Sequence, residues 1–150
     1  MQIYNTLTRK KEKLIPLQDN LFRIYSCGPT VYDYVHIGNL RAFVCADILK
    51  RYLIFKGYKV KHVMNITDVD DKTIKKANGD MQKLKEITEF YTKAFFEDLN
   101  EMNILPADVY PKATEHIPEM VEMIKTLMEK GYAYKAEDGS IYFSVAKFKD

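Results

Sequence analysis

Hydrophobic and polar positions recur at two different periods in the first half of the chain, and the change of period predicts three elements. Residues 21–27 form an apolar run of β-favouring residues, whereas residues 40–56 carry apolar side chains at helical spacing. Gly57 then provides a helix stop, and residues 58–66 alternate before they become continuously apolar. Together these segments predict a strand, a helix and a second strand, joined as a parallel, right-handed βαβ unit.

The first predicted helix should bury one broad apolar face. Cys45 lies in the middle of this segment, and free cysteine is among the most buried residue types, so we expect it to be a core residue. The face is predicted to comprise Leu40, Phe43, Val44, Ile48, Tyr52 and Phe55.

The segments on either side of the βαβ unit have their own signals. Residues 1–20 are polar and cationic, which predicts a short arm or hairpin that leads into the first strand. Asp68, Asp70 and Asp71 follow the second strand, where carboxylates can cap the N–H groups of a helix start.

The second half of the chain is predicted to contain two helices and a hairpin. The helices cover residues 81–102 and 117–130, and Gly131 ends the second of them. An Asp-Gly turn at Gly139 predicts a hairpin within residues 132–145. Two parallel strands and a hairpin are fewer than the about five or six strands of a doubly wound sheet, so we expect the natural polypeptide to continue beyond Asp150.

Composition limits the class of protein. With 150 residues, 47% of them hydrophobic, the chain can bury one sizeable core, and its formal charge of +2 neither favours nor excludes a nucleic-acid partner. No apolar run approaches the ~20 residues of a membrane span, and the amino terminus lacks the apolar core of a signal peptide. We therefore expect a cytoplasmic protein that does not act on a membrane.

Two polar motifs follow the two predicted parallel strands. Residues 27–39 read CGPTVYDYVHIGN, and residues 65–72 read NITDVDDK. Because the carboxyl ends of parallel strands meet at one edge of a sheet, both motifs should lie where α/β sheets bind nucleotides. The helix start after the first motif adds unpaired N–H groups, which favour phosphate. In that motif His36 and Asn39 can donate to phosphate oxygens, and Gly38 lets a ligand approach the backbone.

These motifs, in this order and at this separation, closely resemble the amino-terminal part of the cysteinyl-tRNA synthetase family. The resemblance continues through residues 111–117 and 131–134, so it covers nearly all of the chain after the first 20 residues. Members of that family are class I synthetases, which activate an amino acid with ATP to an aminoacyl-adenylate and transfer it to the terminal ribose of tRNA.

The resemblance implies a fold and a division of the chain. The fold is α/β, the first half of a Rossmann-like class I catalytic domain with a parallel sheet and flanking helices. Residues 1–20 would be an N-terminal arm, residues 21–115 the first half of the nucleotide-binding catalytic domain, and residues 116–150 the start of the connective-peptide insertion.

The resemblance also implies an ATP site. His36 and Asn39 occupy the first and last positions of the family's HIGH-type signature, and they would stabilise the charge that develops when the cysteine carboxylate attacks the α-phosphate. Asn39 stands where the strict signature has histidine, and its amide can still donate. Thr30 and Gly38, with His36 and Asn39, are expected to bind ATP, which is used with Mg²⁺.

The expected cysteine site follows from the same resemblance. Cys27 would be the first ligand of a Zn²⁺ ion that holds the substrate thiolate, and a metal–sulfur bond discriminates well against serine. From the residues alone a buried thiol at a strand end is the more common interpretation of Cys27, and the family pattern reverses it. Gly28 would leave room for the substrate, and Thr67 would supply a hydroxyl or be only a capping residue.

Several parts of the family pattern have no counterpart in this sequence. The other zinc ligands, the mobile KMSKS loop and the anticodon-reading region are missing, and Cys45, His62 and His116 are not at matching places. The chain alone is therefore expected to be catalytically incomplete. For the natural polypeptide we expect a monomer that acts on tRNA(Cys), L-cysteine and ATP.

Three alternatives remain open. The actinobacterial ligase that joins cysteine to glucosaminyl-inositol in mycothiol synthesis shares the same catalytic half and differs in the acceptor. The lysine- and isoleucine-rich composition of this chain is untypical of an actinobacterial protein. Asp68 and Asp70 after an apolar strand also match a haloacid-dehalogenase-type phosphotransferase, but Lys72 stands where that motif has Thr or Val. A non-catalytic module that binds Mg²⁺-ATP without turnover is the third.

Overall fold

A parallel strand pair and its crossover helix organise the first part of the chain in the computed structural model, which describes residues 1–148. The chain divides into two compact units, the first ending at Lys112 and the second beginning at Ala113. The elements in chain order are β1 (Gln2–Asn5), β2 (Lys10–Lys13), β3 (Leu21–Ser26), α1 (Ile37–Phe55), β4 (Lys59–Met64), α2 (Asp71–Lys76), α3 (Met81–Glu101), a 3-10 turn (Ala113–His116), α4 (Ile117–Glu129), β5 (Ala133–Lys135) and β6 (Ile141–Phe143).

The predicted βαβ unit is present. β3 and β4 pair in parallel, from Leu21 opposite Lys59 to Ser26 opposite Met64, and α1 is the connection between them. The helix ends where the sequence predicts, because Gly57 adopts a φ of +82°, which is unfavourable for residues with a Cβ.

A third parallel segment, which the sequence did not predict, lies on the other side of β4. Met64 N donates to Val109 O at 3.0 Å, and Ile66 N donates to Pro111 O at 2.8 Å. Residues 109–112 make only isolated bridges, at Val109 and Lys112, because the segment is short. The first unit is thus α/β, with one regular parallel pair and one strand-like neighbour.

The core of the first unit ties both motifs to the helices. Phe43 of α1 meets Phe95 of α3 edge to face, with their ring centroids 5.4 Å apart. Val31 of the first motif and Ile66 of the second are each 1% exposed in the same cluster. The full buried cluster is Val31, Phe43, Met64, Ile66, Phe95, Leu99, Ile104 and Ala107. The loops that follow β3 and β4 are therefore anchored from beneath by apolar packing.

The predicted buried face of α1 is wrong in part. Phe43 is buried as expected, but Ile48 is 62% and Phe55 81% exposed, and Cys45 is an exposed thiol rather than a core residue. Tyr52 also lies near the surface. The buried residues of the helix are Phe43, Asp47, Lys50 and Leu53.

Buried polar groups on α1 explain why the buried face of the helix differs from the predicted one. Asp47 Oδ1 accepts from Leu105 N at 2.9 Å, and Lys50 Nζ donates to Pro106 O at 2.7 Å. The segment that returns from α3 to β4 therefore satisfies charges that would otherwise be costly to bury.

The flanking elements agree with the sequence predictions. β1 and β2 form an antiparallel hairpin within the cationic amino-terminal segment, and α3 has bounds close to those predicted. None of the helices in residues 1–148 is long and apolar enough to cross a membrane.

The second unit consists of the 3-10 turn, α4 and a hairpin. α4 is followed by Gly131 with a φ of +75°, as the predicted stop requires. β5 and β6 pair antiparallel, from Ala133 opposite Phe143 to Lys135 opposite Ile141, and Gly139 in the turn has a φ of +86°. The predicted helix and Asp-Gly hairpin are confirmed.

Candidate functional site

The two motifs meet through backbone hydrogen bonds at the carboxyl edge of the parallel pair. Val31 N donates to Thr67 O at 3.1 Å, and Thr67 N donates to Pro29 O at 3.0 Å, so that Thr30 and Thr67 form a parallel bridge. The loops after β3 and β4 therefore form one continuous surface, in the place where open α/β sheets bind ligands.

His36, Gly38 and Asn39 build the start of α1. His36 is the N-cap, and its Nδ1 accepts from Gly38 N at 3.0 Å, while Asn39 Oδ1 accepts from His36 N at 3.4 Å. A Cβ on Gly38 would lie 2.7 Å from His36 Cε1, so the glycine is needed for the ring to lie over the helix start. This reciprocal capping box fixes both polar side chains of the signature.

The capping box leaves two donors at the helix start. Because Nδ1 of His36 accepts a hydrogen bond, the neutral ring carries its proton on Nε2. Asn39 uses its oxygen for the cap, so its NH₂ group can also donate. Both side chains are exposed at the positive end of the α1 dipole, an arrangement that suits a phosphate group.

A cavity of about 200 Å³ adjoins this helix start. Thr30, His36 and Asn39 line it from the first motif, and Lys72 lines it from the second. The ammonium group of Lys72 lies 5.4 Å from the ring centroid of Tyr32, which also lines the cavity. The sequence predictions did not include Lys72 as a site residue, although a lysine directly after the acidic run was a usable signal.

Asn65 joins the two residues expected to line the cysteine pocket, and it was not predicted as a site residue. Its Oδ1 accepts from Gly28 N at 2.9 Å, and its Nδ2 donates to Thr67 Oγ1 at 3.1 Å. Tyr25 Oη lies 3.1 Å from the same Oδ1. These contacts depend on the pairing of β3 with β4, so no local sequence pattern reports them.

Gly28 has a structural reason that sequence alone does not give. A Cβ at this position would lie 1.7 Å from Asn65 O and 2.9 Å from Asn65 C, far inside contact distance. Gly28 therefore leaves room for the backbone after β4. Whether it also leaves room for a substrate stays a prediction.

Cys27 lies at the end of β3 with an exposed thiol, 3.7 Å from Gly28 O. The interpretation of Cys27 as a buried strand-end thiol is therefore wrong. Within residues 1–148 no three His, Cys, Asp or Glu side chains lie close enough together to hold a metal ion. These residues alone do not fit a zinc site, which normally needs three or four protein ligands, and Cys27 offers one.

Two acidic residues of the second motif, Asp70 and Asp71, build the start of α2. Asp70 is the N-cap: its Oδ1 accepts from Thr73 N at 2.8 Å, and Thr73 Oγ1 lies 2.8 Å from Asp70 N. Asp68 is only 7% exposed. A phosphotransferase of the haloacid-dehalogenase type needs an accessible nucleophile and a free acid at these two positions, so this geometry does not favour that alternative.

A buried histidine lies directly beneath the site. His62 is 2% exposed, and its Nε2 lies 2.8 Å from Oγ of Ser26, the residue before Cys27. Its backbone N–H donates to Asp108 Oδ2 at 2.6 Å. Burial, together with the charge of Lys50, lowers the pKa of the His62 imidazole below its ordinary value.

The fold and this site define the class of protein. Residues 13–150 match the family model of the class I (C) tRNA synthetase catalytic domain, and the chain belongs to that family.

The curated relatives that this chain resembles are cysteine–tRNA ligases. Those of Thermococcus kodakarensis and Pyrococcus abyssi are 52% and 51% identical to this chain over 150 residues, which is 100% of its length. The cysteine–tRNA ligase of Chlamydia pneumoniae is 54% identical over 148 residues, or 99% of the chain. In each case the match covers 31% of the relative, so the chain spans about a third of their length.

Proposed function

We propose that the natural polypeptide is a cysteine–tRNA ligase, which activates L-cysteine with ATP to cysteinyl-adenylate and transfers the cysteine to tRNA(Cys). The observation that carries this proposal is the His36–Asn39 capping box at the start of α1, beside a cavity, in a chain about half identical to proteins of that name. We further propose that the protein is a cytoplasmic monomer, in keeping with relatives that act on tRNA.

His36 and Asn39 are proposed to bind the phosphates of ATP, with Thr30 and Gly38 beside them. The Nε2–H of His36 and the NH₂ group of Asn39 are the donors that the capping box leaves available. As the carboxylate of cysteine attacks the α-phosphate, negative charge grows on the phosphate oxygens, and donors held in place beforehand stabilise it at little reorganisation cost. Mg²⁺ is expected to accompany ATP as part of the substrate.

Cys27, Gly28 and Thr67 are proposed to form the cysteine site. The exposed thiol of Cys27 suits it as one ligand of a Zn²⁺ ion whose other ligands come from the rest of the natural polypeptide. Such an ion, when bound, would hold the substrate thiolate and discriminate against serine. Thr67 is available for this role because Asp70, and not Thr67, caps α2.

The expected domain organisation is kept as part of the proposal. Residues 21–115 would be the first half of a Rossmann-like catalytic domain, preceded by the arm of residues 1–20 and followed, in residues 116–150, by the start of the connective-peptide insertion. The parallel β3–β4 pair with its third neighbour supports the first assignment. The change of compact unit at Ala113 supports the position of the second boundary.

Cysteine-dependent ATP–pyrophosphate exchange by the zinc-loaded product of the natural open reading frame tests the proposal. We expect exchange with cysteine and not with serine, and we expect Cys27→Ala to abolish it. Cys45→Ala is the matched control, because it removes the other exposed thiol, on α1. A folded, zinc-loaded protein that gives no exchange with cysteine overturns the assignment.

A further inference from the structure

We propose that Asn65 is a positioning residue that directs the Thr67 hydroxyl as a hydrogen-bond donor toward bound cysteine, and so sets the affinity for the amino acid. This inference rests on the proposed function, and it assigns a role to a residue for which the resemblance implied none.

The orientation of the Asn65 amide is fixed by its neighbours. The backbone N–H of Gly28 can only donate, so the atom that faces it at 2.9 Å is the amide oxygen. Tyr25 Oη lies 3.1 Å from the same oxygen. The NH₂ group must therefore face Thr67 Oγ1, at 3.1 Å, and it donates there.

This contact decides what the Thr67 hydroxyl can do. A hydroxyl carries one hydrogen, and when its oxygen accepts from Asn65 Nδ2 that hydrogen is directed elsewhere. The hydroxyl is then held as a donor, which suits an anionic acceptor such as the carboxylate or thiolate of an amino acid. A threonine without this neighbour could turn its hydrogen toward whichever acceptor is nearest.

The same side chain also links both sides of the proposed cysteine pocket. Through Gly28 it contacts the segment that carries Cys27, and through Thr67 it contacts the loop after β4. The backbone on both sides of Asn65 is held by the neighbouring parallel segment, because Met64 N donates to Val109 O and Ile66 N donates to Pro111 O. A rigid second layer of this kind is what a preorganised binding site requires.

Asn65→Asp is the sharpest perturbation. The carboxylate has the same shape and still accepts from Gly28, but it presents an oxygen to Thr67, which would then turn its hydrogen inward. Thr67→Val removes the hydroxyl at nearly constant volume. Asn100→Asp makes the same chemical change on an exposed position of α3 and is the matched control.

The experiment is a double-mutant cycle on the product of the natural open reading frame, read by the KM for cysteine, the KM for ATP and kcat in pyrophosphate exchange. We expect Asn65→Asp to raise the KM for cysteine about tenfold, the typical effect of losing one hydrogen bond to a charged ligand, with the other parameters within about twofold. Thr67→Val should do the same, and the double variant should be no worse than Thr67→Val. Asn100→Asp should match wild type.

The cycle separates the possible failures. If Asn65→Asp acts by charge repulsion or by a general loss of structure, its effect persists in the Thr67→Val background, and the inference is overturned. An unchanged KM for cysteine in Asn65→Asp overturns it as well. If the wild-type protein shows no cysteine-dependent exchange, the proposed function itself fails and this inference fails with it.

Discussion

Substitution of Gly28 by alanine is expected to destabilise the protein strongly, although the residue is neither fully buried nor in the left-handed region. The added Cβ would lie 1.7 Å from Asn65 O and 3.1 Å from Met64 Cγ. A carbon and an oxygen need roughly 3.2 Å or more in ordinary packing, so the ends of β3 and β4 must separate by about 1.5 Å. That separation breaks the hydrogen bond from Gly28 N to Asn65 Oδ1. It also strains the two backbone hydrogen bonds that join residues 29–31 to Thr67.

The expected loss can be estimated from these contacts. Forced overpacking typically costs about 1–3 kcal/mol, and each lost hydrogen bond adds about 0.5–1.5 kcal/mol. We expect Gly28→Ala to lower the free energy of unfolding by about 1.5–4.5 kcal/mol. A typical domain is stable by only about 5–15 kcal/mol, so this is a substantial loss. Urea denaturation followed by circular dichroism measures it.

Two comparisons make this prediction specific. Gly57→Ala is the matched control, because no atom lies within 4 Å of the added Cβ and only its positive φ opposes the change, at a cost of about 1–2 kcal/mol. Adding Asn65→Ala to Gly28→Ala should not restore stability, because the clash is with the main chain. The reasoning is refuted if Gly28→Ala is no more destabilising than Gly57→Ala, or if truncating Asn65 rescues it.

Two further changes separate folding from ligand binding. Gly38→Ala places a Cβ 2.7 Å from His36 Cε1, and the ring can turn aside to avoid it. We therefore expect a stability change within about 1 kcal/mol but a KM for ATP raised about tenfold in pyrophosphate exchange. An unchanged KM for ATP contradicts the proposed role of the ring. Burial, with the charge of Lys50, lowers the pKa of His62 from its ordinary value of 6.5. Near and below that pH the unfolded chain therefore binds more protons than the folded one. The free energy of unfolding should fall as the pH drops below about 6.5. Urea midpoints measured across this range should become less pH-dependent in His62→Gln, and an equal slope in both proteins excludes His62 as the cause.

The parts of the fold that the sequence predicts are those decided locally. The strand–helix–strand order follows from the change of hydrophobic period, and the helix end at Gly57 follows from a residue that tolerates a φ of +82°. The Asp70 cap and the Asp-Gly hairpin likewise depend on neighbours a few residues away.

The parts that the sequence does not predict depend on distant contacts. The buried side of α1 is set by Asp47, which bonds to Leu105 58 residues away, so a face chosen by hydrophobicity alone places Ile48 and Phe55 wrongly. The parallel neighbour at residues 109–112 is too short for a periodic signal. The link from Asn65 to Gly28 appears only once β3 and β4 are paired, whereas His36 and Asn39 lie close enough in sequence to be recognised as a motif.

The two proposed subsites share one backbone connection, and this sharing determines how substitutions should act. The loop that leads to His36 is held by the bonds that join Pro29 and Val31 to Thr67, and both loops are anchored in the core through Val31 and Ile66. The ATP donors and the cysteine pocket therefore cannot shift independently. The exposed side chains of His36, Asn39 and Cys27 can be changed with little effect on folding, so a loss of activity in those variants measures their part in binding or catalysis. A residue within the connection, such as Gly28, has no such freedom, and its substitution should impair folding before any effect on cysteine or ATP binding can be measured.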